Sequence, residues 1–351
     1  MYNKPIKVTV PFLPNKKKLY REFNNLYRSK QITNNGIFVR RLENKLKKYL
    51  GVKHIILTNN GTSAIQIALR ALGIKKNIVT TPFSFVATTN AIIWEKLNPI
   101  FLDIDKKNFN LDFNNLKKIK NPEGILAVHC FGTPCEYKKM FSYIKKKNIK
   151  LIFDASHAFG IKNLKTKKSL LSEGDISTLS FHATKVFHTV EGGAIVTNKS
   201  KLAAKIRLFI NHGILNYKNL SIGINAKMNE FQAIIGLEVL KNMNKIILRK
   251  KKINELYKNK LSKRISFQIE NENYSKNYNY SPIVLKSKRE LERVISLLNK
   301  KNIFPRRYFY PSINKLKYVV NFRGVTFSSG AELGSDADLL RALLFTSGSR
   351  R

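Results

Sequence analysis

Short apolar runs alternate with stretches of helical periodicity through the first two thirds of the chain. Runs at 54–58, 78–80, 100–104, 125–129, 151–154, 178–181 and 194–197 have the length and apolar content of buried strands. Between several of them lie segments such as 63–72, where Ala64, Ile67, Ala68, Ala71 and Leu72 repeat on one helical face. This alternation predicts an α/β fold with a large, mostly parallel sheet covered on both faces. Ligands of such sheets gather beyond the carboxyl ends of the strands. Near Leu240 the pattern changes to a long lysine-rich helix, 242–261, followed by strands near Phe267 and at 282–285 and a helix at 288–299. A large domain over 1–240 and a small C-terminal α/β domain over 241–321 are therefore expected. From Phe322 to Arg351 the chain has no lysine and no asparagine, although both are abundant before it. Residues 322–351 accordingly read as an atypical, non-native tail.

Composition changes this picture in only one respect. A chain of 351 residues can bury a large core, but its formal net charge of +43 raises the question of nucleic acid. The lysines are spread over many helices and are not interleaved with aromatic residues in an RNA-binding pattern. Their abundance together with asparagine fits AT-rich coding, so no specific nucleic-acid partner is expected. A basic surface would nonetheless steer an anionic substrate. No run of eighteen apolar residues and no apolar block near the N-terminus occurs, which predicts a cytoplasmic protein without a membrane span. Cys130 and Cys135 stand as C-x4-C with no further ligand cluster, so no metal is expected.

Three segments carry chemistry. Ser180-Phe181-His182-Ala183-Thr184-Lys185 puts a lysine just past an apolar strand, and Glu191-Gly192-Gly193 follows as a tight turn. A lysine held there can form an imine with an aldehyde, the anchor that pyridoxal phosphate requires; a solvated surface lysine is the alternative. Asp154 ends the apolar strand KLIFD and could hold a pyridinium nitrogen protonated, or cap a helix. Gly61, Thr62 and Ser63 lie where a strand passes into a helix. Thr62 and Ser63 suit a phosphate, with Ser180 as a third hydroxyl, or serve as plain helix caps. Phe85 could stack on a ring face or pack in the core, and His157 could lie near a ring hydroxyl or be structural. Neither GxGxxG nor GxxxxGK[ST] is present, which weighs against dinucleotide or Walker-type binding.

NNGTSAIQIALRAL, TPFSFVATTNAI, VHCFGTPCE, IFDASHAFG, DISTLSFHATKVFHTVEGGAIVTN and INAKMNEFQA together resemble the DegT/DnrJ/EryC1/StrS sugar aminotransferases, over about 36–311. The resemblance implies a fold-type-I pyridoxal-phosphate transferase, with the cofactor in the large domain. It implies that Lys185 carries the cofactor and moves a proton, that Asp154 pairs with the pyridine nitrogen, and that Thr62, Ser63 and Ser180 bind the phosphate. Phe85 would stack on the ring, and His157 would occupy a position often held by glutamine. Asn225 would reach in from the partner of a homodimer with shared active sites. Family members that act as 3-dehydratases have histidine in place of the lysine, so Lys185 implies transamination. FHATKVFHTVEGG and RRYFYPSINKL are most similar to the subgroup that makes dTDP-4-amino-4,6-dideoxyglucose from a nucleotide-linked 4-keto sugar with glutamate as donor, as in polysaccharide biosynthesis. A UDP-linked sugar, amination at C3, or an inactive cofactor-binding homologue are the alternatives. Family members continue with further strands and helices after YPS, so the small domain here reads as incomplete.

Overall fold

The computed structural model describes residues 5–261, 265–327 and the backbone of 342–345. In chain order the first strands are β1 (Ile6–Lys7), β2 (His54–Thr58), β3 (Asn77–Thr80), β4 (Asn98–Phe101), β5 (Gly124–Val128), β6 (Lys150–Asp154), β7 (Ile176–Ser180) and β8 (Gly193–Thr197). A short hairpin, β9 (Ile214–Leu215) and β10 (Lys218–Asn219), follows. Then come β11 (Ser266–Phe267), β12 (Ser281–Val284), β13 (Ile303–Phe304), β14 (Arg306–Arg307), β15 (Thr326–Phe327) and β16 (Ala342–Phe345). All seven strands expected in the first 200 residues form, within a few residues of their expected ends. The apolar run at 100–104 departs most: its strand stops at Phe101, and Ile104 makes an isolated bridge to Leu111 instead.

The large sheet has the order β15-β4-β3-β5-β6-β7-β8-β2. Neighbours from β15 to β7 pair in parallel, while β8 is antiparallel to both β7 and β2. Because β8 alone runs backwards, β2 ends at the same sheet edge as β7. Ser180 and Thr58 both pair with Gly193 there. The chain moves from β3 outward to β4 and then returns to the other side as β5, which makes the switch point where such folds bind ligands.

Both faces of the sheet are covered, which explains the unbroken apolar runs. On one face Ile55, Leu57, Ala194 and Val196 pack with Leu42, Leu46 and Leu50 of α2 (Ile37–Leu50). On the other, Ile56, Ile152 and Ile195 pack with Ala64, Ile67 and Ala68 of α3 (Gly61–Ala71). The pleat sends alternate residues to opposite cores. Helix α4 (Ala87–Trp94) borders the site, α7 (Glu230–Leu240) packs on α2, and α1 (Lys16–Ser29), α5 (Phe141–Lys146) and α6 (Ser200–Phe209) are the other helices up to Leu240.

Beyond α7 the lysine-rich helix runs as α8 (Met243–Leu261), and α9 (Lys288–Lys300) packs Leu291 on Ile283 and Leu285. The small sheet has the order β11-β12-β16-β14, and β1 pairs in parallel with β13. Two pieces of the 322–351 segment enter sheets. Thr326–Phe327 adds to the edge of the large sheet, where Phe327 stacks on Phe101 at 5.7 Å, and 342–345 lies between β12 and β14. The rest of that segment, 328–341 and 346–351, lies outside the described residues.

Candidate active site

Four loops meet at the carboxyl edge of the large sheet and enclose a cavity of about 280 Å³. The first is the turn from β2 into α3. Its cap is Asn60, whose Oδ1 accepts the Ser63 N–H at 2.8 Å, so the capping alternative for Thr62 and Ser63 does not hold. The helix therefore begins at Gly61, two residues before the expected start. Gly61 and Thr62 line the cavity, while Ser63 sits buried in the same turn outside the lining. Gly61 is required by close approach, since a Cβ there would stand 2.9 Å from Ser180 Cβ. A helix N-terminus thus faces the cavity beside Ser180.

Asp154, at the end of β6, is buried and lines the opposite part. Thr88 of α4 donates to its Oδ2 at 2.9 Å, and Ser156 donates to Oδ1 through both its N–H (3.1 Å) and Oγ (2.6 Å). Ser84 contacts Thr88 Oγ1 at 2.6 Å, extending the chain of hydroxyls. All three groups that donate to the carboxylate are neutral, so its charge remains available to a cationic ligand atom. It is no helix cap.

Lys185 follows β7 through a loop in which its own N–H donates to His182 O at 2.9 Å and Thr184 N–H donates to His182 Nδ1 at 3.2 Å. The lysine Nζ enters the cavity and stands 3.4 Å from Tyr280 Oη, so it is not a solvated surface lysine. Burial lowers its pKa, and the nearby Asp154 carboxylate opposes that shift. The VEGG turn closes this loop. Val190 takes φ +70, Thr189 Oγ1 donates to Glu191 O at 2.6 Å, and a Cβ on Gly193 would clash with the Asn60 carbonyl.

His157 is buried, and Phe131 N–H donates to its Nδ1 at 3.1 Å. Burial first, and the nearby Lys185 second, hold its pKa well below the ordinary value. The ring is thus neutral, with the proton on Nε2. Phe85 is 54% exposed and lines the cavity, so it is no core residue; Phe83, two positions earlier, fills the core instead. Asn225 is exposed and lies outside this chain's own cavity, with its carbonyl accepting from Asn59 Nδ2 at 3.5 Å.

Eight of the nine expected site residues are thereby gathered in or beside one cavity. Sequence reasoning missed Thr88, Ser156, Tyr280, Arg306 and Tyr308. Thr88 and Ser156 stood inside quoted motifs, but hydroxyls that serve a carboxylate have no signature of their own. Tyr280, Arg306 and Tyr308 arrive from the small sheet, about a hundred residues past Lys185, and only the packing of the two sheets brings them there.

The model of the DegT/DnrJ/EryC1/StrS aminotransferase family matches residues 15–329. The chain belongs to this family. It is 41% identical over 325 residues to dTDP-4-amino-4,6-dideoxy-D-glucose transaminase of Shigella dysenteriae, covering 91% of this chain and 88% of the relative. To the transaminase of the same name from Escherichia coli it is 38% identical, over 94% and 90% of the two chains. Among solved structures, DesI in the presence of its TDP-sugar product superposes with a TM-score of 0.88 at 27% identity, covering 98% of this chain and 88% of that one. Helicobacter pylori PseC, an aminotransferase of pseudoaminic acid biosynthesis, gives 0.86 at 27%, over 98% and 94%. The family is one of pyridoxal-phosphate-dependent sugar aminotransferases, so the α/β aminotransferase fold and the enzymatic class expected from the sequence are borne out. Among the described residues no helix is long and apolar enough to cross a membrane.

Proposed function

We propose that this family member aminates dTDP-4-dehydro-6-deoxyglucose at C4, with L-glutamate as amino donor and pyridoxal 5'-phosphate as cofactor. One observation carries the reading: a reactive lysine, a carboxylate with only neutral donors and a helix N-terminus share one cavity. This donor set fits the cofactor at its three distinct ends. When bound, the cofactor supplies an aldehyde for exchange with amino groups and a ring that takes up the electron pair left at the substrate carbon.

The remaining chemistry belongs to the chain. Lys185 Nζ would hold the cofactor and is the group placed to move a proton at the reacting carbon; burial lowers its pKa, which suits that task. The Asp154 carboxylate keeps a ring nitrogen protonated, oriented by Thr88 and Ser156. The α3 N-terminus with Thr62 and Ser180 would bind the phosphate, with Ser63 directly behind them in the same turn. Phe85 would cover one ring face, and the Nε2–H of His157 would be the donor for a ring oxygen. Asn225, exposed beyond the hairpin, acts in a partner's site, so the enzyme works as a homodimer.

The relatives named above support the sugar and the C4 position, and their names are the basis for both. Borohydride reduction followed by peptide mass spectrometry is expected to find a pyridoxyl adduct on Lys185; an unlabelled Lys185 in cofactor-treated protein would sink the reading and leave an inactive homologue. Assays with dTDP- and UDP-4-keto sugars side by side, with the amine located by NMR, test the nucleotide and the position. A product aminated at C3, or turnover of the UDP sugar alone, would displace this substrate assignment.

A further inference from the structure

The segment that leads into β12 is tied to two loops of the large sheet at once. Asn277, Asn279 and Tyr280 are all buried. Asn277 Nδ2 donates to the carbonyls of His157 at 2.9 Å and Phe159 at 3.1 Å, in the loop after β6. Its Oδ1 accepts the Asn279 N–H at 3.1 Å, and Asn279 Nδ2 donates to the Thr184 carbonyl at 3.5 Å, in the lysine loop. The Tyr280 ring packs with those of His157 and Phe131, at 4.6 and 5.6 Å between centroids. A side chain bonded and packed on these sides holds its hydroxyl in one place.

That place is beside the lysine. Tyr280 Oη is 3.4 Å from Lys185 Nζ, whereas the ring centroid is 6.0 Å away. The amine therefore lies beyond the hydroxyl end of the ring and not against its face. A hydrogen bond of this length is usual for a catalytic pair before its ligand is bound. Burial raises the pKa of Tyr280, so the hydroxyl keeps its proton and meets the amine as a neutral acceptor. Burial lowers the pKa of Lys185, and Asp154 and Tyr308 oppose that shift. His157 is neutral, and Arg306, His182 and Glu191 line the same cavity. A neutral acceptor on the amine favours its charged form, which burial alone disfavours.

We propose that Tyr280 is a catalytic residue whose hydroxyl accepts a hydrogen bond from Lys185 Nζ, aiming the freed amine at the reacting carbon and favouring its charged form once it has taken up the proton. Tyr280 gives up no proton of its own; the proton that leaves the carbon stays on Nζ until it is delivered. The proposal rests on the role of Lys185 given above and adds the group that governs it.

Tyr280→Phe keeps the ring and removes only the hydroxyl. Competitive labelling with acetic anhydride across pH, read at single lysines by peptide mass spectrometry, is made on the full chain carrying pyridoxamine phosphate, where Lys185 is free. The Lys185 profile is expected to move about one pH unit lower in the variant. The profile of Lys199, paired with Asp175 at the opposite edge of the sheet, is expected to stay in place. In turnover, kcat is expected to fall about tenfold or more with KM for the nucleotide sugar unchanged. Coincident Lys185 profiles in the two proteins would overturn the proposal. So would a shifted profile with unchanged kcat, which would leave the contact without a part in catalysis, and so would a raised KM alone, which would make Tyr280 a substrate contact. Wild-type enzyme that forms no pyridoxyl adduct at Lys185 would remove the reading of that lysine, and this role with it.

Discussion

Lys250 shows what burying one charge costs. Burial pulls its pKa from 10.5 to about 8. The unfolded chain therefore holds more protons than the folded one between about 8 and 10.5, and stability rises with pH across that window. Below pH 8 the full cost is present. Lys250→Met is expected to raise unfolding stability at pH 7 by on the order of 3 kcal/mol and to flatten the rise above pH 8. Urea unfolding at pH 7 and pH 10 checks this; a variant with the wild-type pH dependence would contradict it. At Asp154 the issue is different, because its hydrogen-bond donors, Thr88 and Ser156, are neutral and Lys185 is the nearby cation. Asp154→Asn is expected to lower turnover by about a hundredfold or more while the Lys185 adduct still forms. Adduct mass and turnover measured on one preparation separate the two effects.

Among the elements, the turn from β2 into α3 matters most. Asn60 caps the helix, its carbonyl accepts from Thr58 Oγ1 at 2.9 Å, and the same carbonyl leaves no room for a side chain on Gly193. Asn60→Ala is expected to cost about 1 kcal/mol of stability and to weaken phosphate binding together. Gly193→Ala is expected to cost more, because the clash is with backbone and neither strand can yield without breaking the β2–β8 ladder. Denaturant unfolding of both variants tests the order; a milder Gly193→Ala would refute it. Helix α2 shows a cap that no local pattern could reveal. Gly36 has no side chain to offer, and Glu230 of α7 accepts from the Phe38 N–H at 2.7 Å instead.

Across the whole molecule, the two sheets share the site. The large sheet supplies Lys185, Asp154 and the turn from β2 into α3, and the small sheet supplies Tyr280, Arg306 and Tyr308. The boundary near Leu240, read from the onset of the lysine-rich helix, is our proposal for where the small domain begins. The chain crosses between the two parts: β1 pairs with β13, and β15 returns to the large sheet. Residues 342–345 form a backbone ladder between β12 and β14. Deleting 342–351 is therefore expected to open the small sheet, lower the unfolding temperature and loosen Tyr280 from Lys185. Circular dichroism melts with a parallel cofactor titration would show it; unchanged melting would mean that this strand contributes nothing to the fold.

How much was legible in the sequence follows from the range of each interaction. The strands, the α3 and α8 helices, and Lys185, Asp154, Thr62 and Ser180 were readable because apolar periodicity and turn chemistry act over a few residues. Their meeting at one edge followed from strand polarity, apart from the reversed β8, which lets β2 end beside β7. Tertiary structure alone decided the rest. It made Thr88 a partner of Asp154, placed Phe85 in the cavity rather than the core, and brought Tyr280 to 3.4 Å from the lysine. Each of those outcomes depends on groups far apart in the chain, whose proximity is set by how two sheets and their helices pack.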